Sequence, residues 1–348
     1  MSIKADLQTR VETSLLRGAL SLPEPVQRRL AGRPVVVDGQ TLAPELQLML
    51  RLQRVARLPG AETMPIPEGR RVIDHQSAMT GGTPPVGSVR SLDLDGVAGR
   101  LYTPSAALTG AGATPLLVFF HGGGFIYGGL DSHDATCRVL AEQAGVKVLA
   151  VDYRLAPEAP FPAAYDDSLA AFRWALAHAD ELGADPTRVA VGGDSAGGNL
   201  AAAVAVAAAR EGRPLAFQLL VYPATDNADR ATRSYELFRE GFFLTTRFME
   251  LATESYTPDA ASRLDPRVSP LRGDVPDGLA PAYVATAGFD PLRDEGEAYA
   301  RRLADAGVGV ELKRFPDLIH GFFNIIVAGR RSRAAVDEIA AALKAGLA

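Results

Sequence analysis

Cysteine is nearly absent from this chain, since Cys137 is the only one among 348 residues. A lone cysteine excludes an internal disulfide and any thiolate metal cluster. Cys137 falls in a pattern typical of a helix, which predicts a small buried core residue. Because proteins without disulfides are typical of reducing compartments, we expect a cytoplasmic location.

Excess positive charge and long apolar runs are also missing. The net charge is -5 with an isoelectric point near 5.6, so we expect neither a nucleic-acid partner nor attraction to anionic membranes. No apolar run reaches the length of a membrane span, because the Ala-rich segment after Ser195 ends at Arg210. Residues 1–10 carry Lys4, Asp6 and Arg10 without an apolar run behind a basic cluster, so no secretory signal is predicted.

The composition is that of a globular protein, with 47% hydrophobic and 22% charged residues. From about residue 115 onward, apolar runs typical of buried strands alternate with patterns typical of helices. This order predicts an α/β fold with a mainly parallel sheet covered by helices on both faces. The alternation pauses over residues 226–279, which contain no clear strand and read as a helical insertion.

The first hundred residues are less regular. Residues 1–60 predict helical pieces interrupted by prolines, with one helix starting at Pro44. Residues 60–88 are rich in proline and glycine and predict an irregular connection, with at most one helical turn over residues 71–79. A hairpin is expected over residues 87–102, turning at Asp95 and Gly96.

The central motif is Gly193-Asp194-Ser195-Ala196-Gly197, which ends one apolar run and opens an Ala-rich helical segment. A serine at such a strand-to-helix turn is held at the apex with its hydroxyl exposed. The helix N-terminus adds free N–H groups beside that hydroxyl. Ser195 is therefore the predicted nucleophile, the alternative being a surface serine in a glycine-rich turn.

A serine hydroxyl needs a base to remove its proton and a third group to hold that base. Of the five histidines, His320 follows the end of a predicted strand, where a loop can reach the edge of the sheet. Asp290 is the first carboxylate after the preceding strand; Asp294 is expected to pair locally, and Asp317 lies too near His320 in the chain. The order Ser195, Asp290, His320 is that of the α/β-hydrolase fold. The alternatives are a solvated loop histidine for His320 and a helix N-cap for Asp290.

A third motif follows the buried strand over residues 115–120. His121-Gly122-Gly123-Gly124 combines three glycines that can expose backbone N–H groups to a developing negative charge. The N–H of Ala196, directly after the nucleophile, supplies the opposite side. A flexible turn is the alternative interpretation of the glycines.

Together these segments resemble the motif set of the hormone-sensitive-lipase-like esterases (bacterial family IV) of the α/β-hydrolase superfamily. The resemblance covers residues 115–325 and implies Gly123, Gly124 and Ala196 as oxyanion donors. It also implies that His121, with residues 153–158, braces the glycine loop. We predict that Gly122 and Asp194 support the site as well. The matching segments, in order, are His121-Gly122-Gly123-Gly124-Phe125, Tyr153-Arg154-Leu155-Ala156-Pro157-Glu158, Gly193-Asp194-Ser195-Ala196-Gly197-Gly198, Asp290-Pro291-Leu292-Arg293-Asp294-Glu295 and His320-Gly321-Phe322.

The resemblance further implies a helical cap. The expected division is a cap segment over 1–60, a catalytic core over 61–225, a cap insertion over 226–279 and the rest of the core over 280–348. The resemblance also favours hydrolysis of carboxylic esters with short to medium acyl chains through an acyl-enzyme. The same residues would serve an amidase or formamidase, and a catalytically silent receptor is the alternative from another class.

Substrate size and assembly are less determined by the residues. Several apolar side chains could line an acyl pocket or could simply cover the core, and the sequence leaves both readings open. No cofactor motif or metal-ligand spacing is present. An exposed edge strand near residues 310–315 could pair with a second copy in a homodimer. The apolar side chains are Leu46, Met49, Leu50, Phe238, Phe242, Phe243 and Phe248.

Overall fold

The computed structural model describes residues 13–110 and 112–348, and an eight-stranded sheet forms its centre. Within this sheet, Ser88–Asp93 pairs antiparallel with Ala98–Thr103, and Ala98–Thr103 pairs antiparallel with Lys147–Asp152. Every other pair of neighbouring strands is parallel. From one edge to the other, the strands run Val310–Ile319, Ala282–Phe289, Phe217–Val221, Ala184–Asp194, Thr114–Phe120, Lys147–Asp152, Ala98–Thr103 and Ser88–Asp93.

Helices cover both faces of this sheet. Residues 13–20 are helical. The other α-helices are Glu24–Ala31, Pro44–Val55, Ile66–Gly81, Ser105–Thr109, Asp134–Ala144, Ala163–Ala177, Ala179–Leu182, Ala196–Arg210, Arg233–Phe238, Thr246–Tyr256, Arg293–Asp305 and Arg330–Gly346. Short 3-10 helices span Ala61–Thr63, Ala260–Leu264, Pro270–Arg272 and Phe322–Asn324.

The strand Thr114–Phe120 shows how the core is divided between the two faces. Leu117 and Phe119 belong to one buried cluster, whereas Leu116, Val118 and Phe120 belong to the cluster on the opposite face. Side chains alternate across a strand, so a strand buried on both faces needs a continuous apolar run. The α/β fold with a mainly parallel sheet predicted from such runs is confirmed.

The local predictions differ from the structure mainly before residue 88. The helix Ile66–Gly81 has 16 residues and replaces the expected irregular connection with its single turn over 71–79. Pro67 lies in its first turn, where the missing N–H costs nothing and the fixed φ favours a helix start. A two-stranded ribbon of Val36–Val37 and Gln40–Thr41 also went unpredicted.

Later elements follow the predictions more closely. The hairpin is formed by Ser88–Asp93 and Ala98–Thr103, as expected. His178 separates two consecutive helices, Ala163–Ala177 and Ala179–Leu182. Cys137 is a free, fully buried cysteine. The absence of a secretory signal was predicted from residues 1–10, which lie outside the described residues.

Four strands bring the predicted motifs to one edge of the sheet. The glycine loop follows Thr114–Phe120, Ser195 follows Ala184–Asp194, Asp290 follows Ala282–Phe289, and His320 follows Val310–Ile319. These four strands are parallel, so their carboxyl ends share one edge, which is where ligands bind in open α/β sheets. In the described part of the chain, no helix combines the length and apolar character that a membrane span needs.

Candidate active site

Ser195 occupies a sharp turn between a strand and a helix. It is the N-cap residue of Ala196–Arg210, with φ of 57° and ψ of -118°. A positive φ is costly for a residue with a side chain, so such a backbone is kept where the surroundings enforce it. The turn also requires glycine, because a Cβ at Gly193 or Gly197 would collide with the carbonyl oxygen of Phe120.

The structure brings the three predicted side chains together. His320 Nε2 lies 3.0 Å from Ser195 Oγ, and His320 Nδ1 lies 2.8 Å from Asp290 Oδ2. Asp290 is completely buried and His320 is 6% exposed. A buried carboxylate that accepts a hydrogen bond from Nδ1 leaves Nε2 free to accept the proton of the serine hydroxyl.

The other carboxylates near His320 have different partners. Asp290 Oδ1 also accepts the N–H of Leu292 at 2.9 Å, so this side chain holds a helix start as well as the imidazole. Asp294 accepts the N–H of Ser234 and pairs with Arg293, and Asp317 pairs with Arg331. The local pairing expected for Asp294 is therefore what the structure contains.

The glycine loop leaves backbone donors open beside the serine. Gly123 and Gly124 have φ of 122° and 63°, the region that favours glycine, and both line the same cavity as Ser195. Within residues 13–110 and 112–348, no protein group accepts a hydrogen bond from the N–H of Gly123, Gly124 or Ala196. Such preorganised N–H groups can stabilise an oxyanion.

Residues 153–156 hold this loop from behind. Tyr153 OH donates to the carbonyl oxygen of His121 at 2.7 Å, and the two rings stack with centroids 4.2 Å apart. Ala156 N–H donates to the carbonyl oxygen of Phe125 at 2.9 Å. Burial, with the nearby imidazole of His133, lowers the pKa of His121 to about 3, so this ring is neutral at physiological pH.

Asp194 links the glycine loop to the strand that carries the serine. Its Oδ1 accepts the N–H of Gly122 at 2.9 Å and lies 3.0 Å from His133 Nε2, while Oδ2 accepts Tyr222 OH at 3.2 Å. Burial acts to raise the pKa of Asp194, but His133 and the Gly122 N–H outweigh it and hold this pKa below its ordinary value. The carboxylate is thus ionised where it fixes the loop.

His133 was not assigned a role from the sequence. The visible signal was Ser132-His133-Asp134 at a helix start, and Ser132 Oγ lies 2.8 Å from His133 Nδ1. Asp194 binds the other ring nitrogen, so these residues form a second buried Ser, His and Asp set. Its serine already bonds the backbone of Gly129. This set supports the loop.

A cavity of about 370 Å³ opens on Ser195 and His320. Met49, Leu50, Phe243 and Phe248 line it, so the pocket reading of these four side chains fits the structure. Met49 and Leu50 also belong to the buried core together with Leu46 and Phe238, and Phe242 packs against that core. No cluster of three or more His, Cys, Asp or Glu side chains in the described residues could hold a metal ion.

Glu295 is a buried carboxyl close to the site. Its Oε1 accepts the N–H groups of Thr225 and Asp226, and its Oε2 accepts Tyr235 OH. Burial outweighs these donors and raises the pKa of Glu295 to about 8 from its ordinary 4.5. The carboxyl therefore keeps a proton at neutral pH.

This shift predicts a pH-dependent effect of Glu295→Gln on stability. The unfolded chain loses the proton near pH 4.5 and the folded chain near pH 8. The folded form binds more protons in between, so wild-type stability falls as pH rises through that window. Glutamine keeps the shape without the charge, and its advantage should grow by on the order of 2 to 4 kcal/mol from pH 5 to pH 8.5.

Urea unfolding of both proteins at the two pH values measures this change. The control is Glu254→Gln, at an exposed position on the helix Thr246–Tyr256, for which the difference should stay constant. An equal advantage of Glu295→Gln at pH 5 and pH 8.5 would contradict the assignment.

Comparison with known proteins agrees with this geometry. A family model described as alpha/beta hydrolase fold matches residues 117–324. The carboxylic ester hydrolase LipN of Mycobacterium tuberculosis is 47% identical over 94% of this chain and 89% of its own. The ethyl acetate hydrolase of Pseudomonas putida is 41% identical over 82% of this chain and 93% of its own.

Solved structures give the same picture. The ester-hydrolase EH1AB1 from the metagenome of Lake Arreo has a TM-score of 0.84 and 42% identity, over 87% of this chain and 98% of that one. A thermostable esterase from Pseudomonas putida ECU1011 has a TM-score of 0.81 and 36% identity, over 87% and 97%. The chain belongs to the hormone-sensitive-lipase-like esterases of the α/β-hydrolase fold, and it is a carboxylic ester hydrolase.

Proposed function

We propose that this chain hydrolyses carboxylic esters of short to medium acyl chains through an acyl-enzyme on Ser195. His320 is the general base, and Asp290 holds its ring and stabilises the imidazolium that forms. The N–H groups of Gly123, Gly124 and Ala196 bind the oxyanion. His121, Gly122 and Asp194 position that loop.

The reaction has two halves. Ser195 Oγ attacks the ester carbonyl as its proton passes to His320 Nε2, and the oxyanion forms opposite the exposed N–H groups. His320 then gives that proton to the leaving alkoxide, which departs as the alcohol. A water molecule then gives a proton to His320 Nε2 as it attacks the acyl carbon. His320 returns that proton to Ser195 Oγ as the bond to the acyl group breaks and the acid leaves.

One observation carries this proposal, namely the two contacts of His320 at 3.0 Å and 2.8 Å. A catalytically silent receptor only binds its ligand, and binding does not require an imidazole between a serine hydroxyl and a buried carboxylate. An amidase could use the same groups, so comparing an ester with its matched amide is the first test. We expect the ester to be turned over much faster, and a faster amide would overturn the ester assignment.

A pH profile of kcat/KM tests the role of His320. A general base must be neutral to accept a proton, so the acid limb of kcat/KM should fall by about tenfold per pH unit. The parameter to measure is kcat/KM, because it reports ionisations of the free enzyme. The buffers should have constant ionic strength, and the protein should be shown to remain folded at each pH. A flat acid limb would rule out His320 as the base.

We also propose a helical cap over the catalytic core, a homodimer and a cytoplasmic location. The division into cap segments (1–60 and 226–279) and core (61–225 and 280–348) is consistent with the eight-stranded sheet lying outside 226–279. The strand Val310–Ile319 lies at an edge of the sheet, which supports a homodimer through that edge. The cytoplasmic location stays a prediction from the single cysteine.

A further inference from the structure

Two cavities meet at Ser195, and they differ in size and in their neighbours. The larger, about 370 Å³, is bordered by His320. The smaller, about 50 Å³, is bordered by Ala196 and does not reach His320. Both are lined by Gly124, Ser195, Leu244 and Phe248.

The chemistry of ester cleavage distinguishes these cavities. The tetrahedral carbon carries Ser195 Oγ, the oxyanion, the alkoxy oxygen and the acyl chain. The oxyanion must face the N–H groups of the glycine loop. The alkoxy oxygen must receive its proton from His320 Nε2, within hydrogen-bond reach, as its bond to the carbonyl carbon breaks. The alcohol therefore lies on the imidazole side, and the acyl chain points away from it.

We propose that the small cavity holds the acyl chain, that the large cavity holds the alcohol, and that Phe248 with Leu244 forms the wall that limits acyl length. This inference rests on the proposed function, because it uses Ser195 as the nucleophile and His320 as the acid. It narrows the substrates to esters of a short acid with a large alcohol.

The volumes give the size limit. One water-sized group needs about 10 to 15 Å³ of cavity volume. The small cavity, of about 50 Å³, therefore accepts three to five carbons of the acyl chain beyond the carbonyl. Butanoyl chains fit and octanoyl chains do not. The alcohol cavity is several times larger and is lined by apolar side chains that include Met49, Leu50 and Ile73. It suits a bulky apolar alcohol.

Phe248 is held firmly in its position as a wall. It lies in the first turn of Thr246–Tyr256, and its N–H donates to Thr245 Oγ1 at 3.1 Å. Its ring is tilted against Tyr127 with centroids 5.5 Å apart. The ring also lies directly over Gly124, where a Cβ would come within 2.9 Å of it. Removing the ring should join the two cavities beside the oxyanion loop.

The test measures two ester series with purified full-length protein. One varies the acyl chain of p-nitrophenyl esters from acetyl to dodecanoyl, and the other varies the alcohol of alkyl acetates from methyl to decyl. The wild type should lose at least about tenfold in kcat/KM from butanoyl to octanoyl and should gain with longer alcohols. Phe248→Ala should raise the octanoyl-to-butanoyl ratio at least about tenfold, with the acetyl ester changing far less.

Two further variants complete the design. Ile73 lines the large cavity and not the small one. Ile73→Ala should therefore change how kcat/KM depends on alcohol length and leave the preferred acyl length unchanged. Phe248→Leu keeps an apolar side chain and should shift the acyl profile in the same direction if Phe248→Ala folds poorly. A folded Phe248 variant with an unchanged octanoyl-to-butanoyl ratio, or a wild type that prefers octanoyl, would overturn the cavity assignment while ester hydrolysis stands. Failure of the wild type to hydrolyse any ester would remove the proposed function and this inference with it.

Discussion

Ser195→Ala is expected to lower kcat/KM for p-nitrophenyl acetate by at least about 10⁴-fold. Without the hydroxyl, no acyl-enzyme can form, and only a water molecule could attack the bound ester. The exposed N–H groups of the glycine loop would remain and would account for any residual rate. The measurement is a steady-state assay on protein whose circular dichroism matches that of the wild type.

The chain offers a matched control in its second Ser, His and Asp set. Ser132→Ala removes a buried hydroxyl beside His133 and Asp194 but leaves Ser195 in place. This variant should keep its activity within a factor of about 10, because Ser132 acts only through the loop. The reverse pattern, with Ser132→Ala inactive and Ser195→Ala active, would show that Ser195 is not the nucleophile.

Asp290→Asn is expected to lower kcat by about 10³ to 10⁴-fold without unfolding the protein. Asparagine keeps the shape of the side chain, but its amide can donate a hydrogen to His320 Nδ1. The proton of the ring would then sit on Nε2, which faces Ser195 Oγ and could no longer accept the serine proton. The loss should appear in kcat more than in KM, because binding of the ester is unchanged.

Asp294→Asn is the matched control for this variant. Asp294 is the other carboxylate that the sequence offered, and it bonds Ser234 and Arg293 instead of His320. Its replacement should leave kcat within a factor of about 10. Equal losses in the two variants would mean that the effect of Asp290→Asn arises from local structure and not from the tautomer of His320.

The three side chains of the candidate site could be expected to meet because their positions depend on topology. Ser195, Asp290 and His320 each follow an apolar run that reads as a strand, and parallel strands end at one edge of their sheet. Residues 95 and 125 positions apart in the chain could therefore be expected to meet before any coordinates were known. The strand-helix alternation that predicts this sheet is a strong signal in sequence.

The surroundings of the site could not be read in the same way. The helix Ile66–Gly81 lines the large cavity through Ile73, but Pro65 and Pro67 suggested a break in the chain. A proline favours a helix in its first turn and ends one in its interior, and only the position of the first turn decides between them.

Side-chain roles within the strand-poor stretch were likewise open. Phe238 and Phe248 both lie in residues 226–279, yet Phe238 is buried in the core and Phe248 lines both cavities. Their placement depends on how short helices pack over the sheet, which periodicity alone does not determine. The contact of His133 with Asp194 joins a helix start to a strand end across 61 residues, and no local pattern predicts it.

The most direct test is to locate the acyl group during turnover. Acid quenching of a reaction with p-nitrophenyl acetate, followed by peptide mapping with mass spectrometry, should find the acetyl group on Ser195. An enzyme with the His320→Ala substitution should yield no such adduct on the same timescale. An acetyl group trapped on another residue, with none on Ser195, would contradict the mechanism.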